Sequence, residues 1–119
     1  MEDFEAIDIP QCPNCKDIAR PNILMFSDFR WNSKRTSNQE YRFNKWIKQF
    51  KKPDKKLVII ELGAGIFIPT IRLIGQQYAK RYKNNIKLIR INPRDFEIEE
   101  DIGYSLPYGA IEGLQKVLG

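Results

Sequence analysis

Three short stretches carry residue types that could do chemistry. Gly63-Ala64-Gly65 follows the apolar run Leu57-Val58-Ile59-Ile60 and the acid Glu61. Glycines have no Cβ, so backbone N–H groups can approach a ribose or phosphate closely, and a helix start just beyond favours negative charge. Asn92-Pro93-Arg94-Asp95 leaves a second apolar run, where an amide or carboxylate could bond ribose hydroxyls. Together these loops suit an adenine nucleotide. The dinucleotide fingerprint G-x-G-x-x-G is incomplete, because Ile68 stands where the third glycine belongs. The plainer alternative is that both glycines serve a strand-to-helix turn and that Asn92 opens a turn continued by Pro93. Near the start, Cys12-Pro-Asn-Cys15 presents two thiolates at the spacing of a zinc knuckle. A closed structural site takes four ligands, so this is half a zinc site or two plain thiols.

The elements that must position these residues follow from periodicity. Ser37-x-x-Glu40 reads as a capping box, and Phe43, Trp46, Ile47 and Phe50 follow at helical spacing, predicting a helix over 37–50. Lys51-Lys52-Pro53-Asp54 stops it. Residues 57–61 read as a buried strand. A second helix begins at Pro69 or Thr70 and places Ile71, Ile74, Tyr78 and Tyr82 on one face, until Lys83-Asn84-Asn85 ends it. Ile86–Ile91 reads as a strand with both faces partly covered. Strand, helix and strand make one right-handed βαβ crossover, hence a parallel pair. Asn22–Phe26 is expected to supply a third strand. A last helix follows Pro107 with Ala110, Leu114, Val117 and Leu118 inward. Both candidate nucleotide loops then leave the carboxyl edge of one sheet, where open α/β sheets bind ligands.

Composition bounds the class. The 119 residues are one domain or a piece of one, and 42% hydrophobic content with 12% aromatics suffices for a packed core. No stretch approaches the ~20 apolar residues of a membrane span, and the acidic start lacks the features of a secretory signal, so an intracellular location is expected. That compartment argues against a disulfide between Cys12 and Cys15. The net charge of +5 gathers at Lys45, Lys48, Lys51, Lys52, Lys55 and Lys56. Such a patch could attract phosphates or acidic partners, or be a solvated helix face. Aromatics do not alternate with the lysines as a stacking platform would require, so nucleic acid is a minor expectation. The chain contains no histidine, which removes serine–histidine and cysteine–histidine catalysis and imidazole metal ligands.

The order C-x2-C, "RPNILMF", a strand into a glycine loop, "RINP" and "PYGAIEGL" resembles the carboxyl-terminal half of a sirtuin, an NAD-dependent protein-lysine deacylase. The resemblance runs from Cys12 to Leu118. It implies an α/β fold: a partial Rossmann-like parallel sheet of three strands with flanking helices, plus half of a zinc-ribbon knuckle. Residues 1–20 would form a lead-in and the knuckle, and 21–119 half of the NAD-binding domain. Cys12 and Cys15 would be two of four zinc ligands. The strand from Arg20 to Asp28 would lie along an acyl-lysine peptide, implicating Ile23, Leu24 and Phe26. Gly63, Ala64 and Gly65 would touch NAD at the nicotinamide-side ribose and phosphates. Asn92, with Pro93 and Arg94, would hold the adenosine ribose, and Ala110 would lie near the adenine.

The departures from the family's pattern are also informative. Ser27-Asp28 replaces glycine-glutamate, and Ala64-Gly65 lacks the hydroxyls of threonine and serine, so ribose contacts there must come from the backbone. The family's catalytic histidine, first glycine loop and first cysteine pair belong to an amino-terminal half that this sequence does not contain. The expectation is a split or truncated unit, inactive alone, whose few strands need a missing segment, a partner chain or self-association to complete the sheet. Two other readings compete. "VIIELGAG" also resembles the first motif of S-adenosylmethionine-dependent methyltransferases, and residues 45–56 could serve a non-catalytic nucleotide- or nucleic-acid-binding module.

Overall fold

The computed structural model describes residues 8–119. The chain divides into two units, one ending at Ser37 and a larger one from Asn38 to Gly119. Among the described residues no helix is long and apolar enough to cross a membrane.

The smaller unit is built on a tight turn. Gln11 and Ile18 form an isolated antiparallel bridge, Cys12 donates its N–H to the Asp17 carbonyl at 2.7 Å, and Lys16 turns the chain with φ 62°. The expected strand Asn22–Phe26 does not form. Its backbone groups close local turns instead: Ile23 N–H donates to the Pro21 carbonyl, Asp28 N–H to Met25, and the Arg20 guanidinium takes the Ile23 carbonyl at 3.0 Å. An apolar run becomes a strand only where a neighbouring ladder receives its N–H and C=O groups, and among the described residues none does.

Helix α1 spans Lys34–Ile47 and continues as a 3-10 turn over Lys48–Lys51. It starts three residues earlier than the capping box predicts. Asn32 Oδ1 accepts from Lys34 N–H at 3.1 Å, which leaves Ser37 inside the helix with its N–H on the Ser33 carbonyl. Ile47 and Phe50 are buried as expected, whereas Phe43 and Trp46 stay exposed.

The larger unit is a three-stranded parallel sheet in the order β1 (Leu57–Leu62), β2 (Ile86–Ile91), β3 (Gly103–Leu106). Helix α2 (Thr70–Arg81) joins β1 to β2, and α3 (Ala110–Leu118) follows β3. The third strand is therefore Gly103–Leu106, after the crossover rather than before it. Leu57 pairs with Ile86 and the register runs unbroken to Leu62 opposite Ile91. One face thus carries Leu57, Ile59, Glu61, Ile86, Leu88 and Arg90. The other carries Val58, Ile60, Leu62, Lys87, Ile89 and Ile91.

The two faces are covered unequally. On the first, Ile47, Phe50, Tyr82 and Ile86 form one buried cluster and Ala79, Leu88 and Ile102 another. Helix α2 meets this face through Gly75 and Ala79, and a Cβ added at Gly75 would lie 3.5 Å from Leu88 and 3.6 Å from Glu61. That close approach rotates the helix, so Ile71 and Ile74, expected inward, are exposed while Tyr82 is buried. On the second face α3 seats Gly113 against Ile91, where an added Cβ would come within 2.2 Å of Ile91 Cγ2. Leu114 and Val117 are partly covered, but Ala110 and Leu118, expected inward, are exposed. Val58, Ile60, Leu62 and Tyr104 lie open.

Glu61 and Arg90, opposite each other in the register, form a buried bidentate ion pair. Arg90 Nε donates to Glu61 Oε1 at 2.5 Å and an Nη to Oε2 at 3.1 Å, and the other Nη takes the Glu97 carbonyl at 2.6 Å. Removing one partner strands a charge in the core, so Arg90→Met is expected to cost about 3–5 kcal/mol in urea unfolding. The pair Glu61→Leu with Arg90→Met should recover most of that loss; a single substitution costing under about 1 kcal/mol would deny the pair this role.

Candidate nucleotide site at the carboxyl edge of the sheet

Because all three strands are parallel, the loops after β1, β2 and β3 leave the same edge. This brings Gly63-Ala64-Gly65, Asn92-Pro93-Arg94 and the turn before Ala110 to one rim. Gly63 extends the ladder by donating its N–H to the Ile91 carbonyl at 2.9 Å, then turns the chain with φ +62°, a conformation that disfavours any side chain. Nothing lies within 4 Å of a Cβ built on Gly63 or Gly65, so the loop faces open space.

Asn92 is buried and its carboxamide joins the two loops. Its Oδ1 accepts from the N–H groups of Arg94 at 3.0 Å and Asp95 at 2.9 Å, and its Nδ2 donates to the Ala64 carbonyl at 3.2 Å. Its own N–H continues the ladder to Leu106 at 3.1 Å. Asn92 thus opens a turn and also bridges to the glycine loop, which leaves one amide hydrogen for a ligand. Pro93 and Arg94 are exposed beside it.

The glycine loop carries a polarity. Its Ala64 carbonyl points inward, taken by Asn92 and by Arg72, whose Nη donates to it at 2.9 Å. Among the described residues no protein acceptor takes the N–H groups of residues 64–68. Helix α2 begins directly after them with no side-chain cap and no acid in its first turn. Free N–H groups at an uncapped helix start form a region of positive potential suited to a phosphate. Ala110, exposed, is the first residue of α3, after Gly109 in extended conformation.

In the smaller unit, Cys12 and Cys15 are both free. Hydrogen bonds from the Cys15 and Asn14 N–H groups, then from the Cys15 side chain, hold the Cys12 thiol below its ordinary value, against a smaller opposing effect of burial. N–H donors aimed at sulfur suit a thiolate metal ligand. The expected zinc-ribbon knuckle has no support here: among the described residues no group of three or more histidines, cysteines and carboxylates could hold a metal ion. Ile23, Leu24 and Phe26 are exposed on an irregular stretch.

Sequence reasoning missed Arg72 and the Glu61–Arg90 pair. The pair had a signal, since each is the fifth residue of its strand and a parallel register from equal starts must oppose them. Arg72 had only its place in the first turn of the helix after the glycine loop.

Compared with known protein families, with curated proteins and with solved structures, the chain matches none.

Two outcomes check this geometry. Gly63→Ala is expected to lower stability by about 1–2 kcal/mol in thermal unfolding because of its left-handed φ, whereas Gly65→Ala should stay within about 0.5 kcal/mol. Since the Cys12 thiol is held below its ordinary value, its alkylation by iodoacetamide should persist to lower pH than that of an unstructured cysteine peptide, and it should fall to the peptide's profile in urea.

Proposed function

We propose that this chain supplies half of the NAD site, and part of the acyl-peptide and zinc sites, of a sirtuin-type protein-lysine deacylase. The observation that carries the reading is the carboxyl rim, where no acceptor among the described residues takes the N–H groups of residues 64–68 just before α2, while Asn92 ties that loop to the next. Where the family pattern has hydroxyls, Ala64 and Gly65 leave the backbone as the source of ribose and phosphate contacts. The N–H groups of this loop bind and orient the nicotinamide-side ribose and phosphates, Asn92 offers its remaining amide hydrogen to the adenosine ribose, and Arg94 lies beside it. Ala110, at the start of α3, borders the adenine.

When bound, NAD would supply a ribose carbon made electrophilic by its nicotinamide leaving group. The general base of that reaction is a histidine in the family, and this sequence has none. The chain's own contribution is therefore binding and orientation, and the base comes from a complementary half. The open face of Val58, Ile60 and Leu62 and the outer side of β1, which no strand among the described residues pairs, support such a complement, whether a further segment, a partner chain or a second copy. Ile23, Leu24 and Phe26 become a peptide-facing strand once an acyl-lysine substrate offers them a ladder. Cys12 and Cys15 supply two thiolates to a zinc ion that needs two more ligands from that complement.

The same glycine loop would serve S-adenosylmethionine, and the two readings part at Asn92, where methyltransferases place an acid. Equilibrium dialysis of the chain against each ligand decides between them. Weak binding of NAD and of ADP, with none of S-adenosylmethionine, is expected. A preference for S-adenosylmethionine would replace this reading with the methyltransferase one.

A further inference from the structure

Arg72 lies in the first turn of α2, partly buried, and touches both loops of the rim. One Nη donates to the Ala64 carbonyl at 2.9 Å and to the Asp95 carbonyl. The Asp95 N–H in turn donates to Asn92 Oδ1, and Asn92 Nδ2 donates to the same Ala64 carbonyl. These bonds close a ring: Arg72 to Ala64, Ala64 to Asn92, Asn92 to Asp95, and Asp95 back to Arg72. Among the described residues, Arg72 and Asn92 are the side chains that join the two loops. Arg72 Nε is buried with no acceptor, so the guanidinium is held in place at the expense of one unsatisfied donor.

We infer that Arg72 is the positioning residue of the nucleotide site. By drawing two loop carbonyls onto one cation it holds the Ala64 carbonyl inward, and so turns the Gly65 N–H of the same peptide outward. A peptide plane has its C=O and N–H on opposite sides, so fixing the carbonyl fixes the direction in which the next N–H points. The cation also neutralises carbonyl dipoles that would otherwise face an arriving phosphate. A lysine cannot copy this, because its single nitrogen lacks the rigid planar fork that holds the ring geometry. The inference rests on the nucleotide reading for its consequence and on the hydrogen-bond ring for its geometry, and the two are tested apart.

The experiment is amide hydrogen exchange on the wild type, Arg72→Met and Arg72→Lys, with NAD affinity measured in parallel by titration calorimetry. In Arg72→Met, exchange should rise in residues 63–69 and 92–96 together, while the β1–β2 ladder keeps its protection. NAD affinity should fall about tenfold, the effect of losing one charge-assisted preorganising contact. Arg72→Lys should restore little, and methylguanidinium added well below denaturing concentration to Arg72→Met should restore both protection and affinity. If one loop alone loosens, or exchange rises evenly through the sheet, Arg72 is not the clamp and the inference fails. If wild type shows no affinity for NAD while the exchange pattern and its rescue hold, the nucleotide reading falls and the clamp stands. An NAD affinity unchanged in Arg72→Met with both loops loosened would refute the positioning role.

Discussion

The larger unit is organised around the ion pair between Glu61 and Arg90. Both charges are buried near the carboxyl ends of β1 and β2, and each would cost several kcal/mol there without the other. They meet only if β1 and β2 are parallel and in one register, because a slip of one residue would send Glu61 to the opposite face. The pair therefore discriminates against alternative alignments more sharply than the apolar residues around it, which would pack tolerably in several. Its third bond, to the Glu97 carbonyl, draws the chain after β2 back across the face toward β3. Register, crossover and the return of the chain all refer to this one contact.

From that register the rim follows. With Glu61 opposite Arg90, Leu62 falls opposite Ile91, and Gly63 is placed to bond the Ile91 carbonyl just as Asn92 begins its turn. The glycine loop and the asparagine turn then leave the sheet side by side, close enough for one carboxamide and one guanidinium to link them. The loop geometry is an outcome of strand pairing one step earlier. The open side of the glycine loop, whose N–H groups take no acceptor among the described residues, is what remains once Asn92 and Arg72 have claimed the Ala64 carbonyl.

Much of this was legible in the sequence. Ile86–Ile91 is a strand at its expected bounds, β1 runs one residue longer than expected, and α2 begins at Thr70, because long apolar periodicity and Pro69 are strong local signals. The convergence of residues 63–65 with Asn92 followed from the βαβ rule alone. The third strand was not legible. Asn22–Phe26 has the better strand composition, yet Gly103–Leu106 forms the strand because β2 offers it a ladder, and no local pattern reports which run will find a neighbour. The faces of α2 and α3 were misjudged for a related reason. Gly75, Ala79 and Gly113 let the helices approach closely, so the small residues mark the buried line and several large ones are left outside it.

Those exposed large residues bear on function. Val58, Ile60 and Leu62 alternate along β1 with residues that are covered, so the strand has the two-sided apolar character of an interior strand while standing at an edge. On the proposed reading the chemistry is incomplete in the same sense: zinc would take two ligands beyond Cys12 and Cys15, and the sequence holds no histidine to act as the base. A covering layer over β1 would remove the physical deficit. In the sirtuin-type reading the chemical deficit has the same remedy, because the family's first cysteine pair, first glycine loop and histidine all belong to the half that this sequence does not contain. On that reading one and the same addition would cover Val58, Ile60 and Leu62 and bring the groups that the chemistry needs.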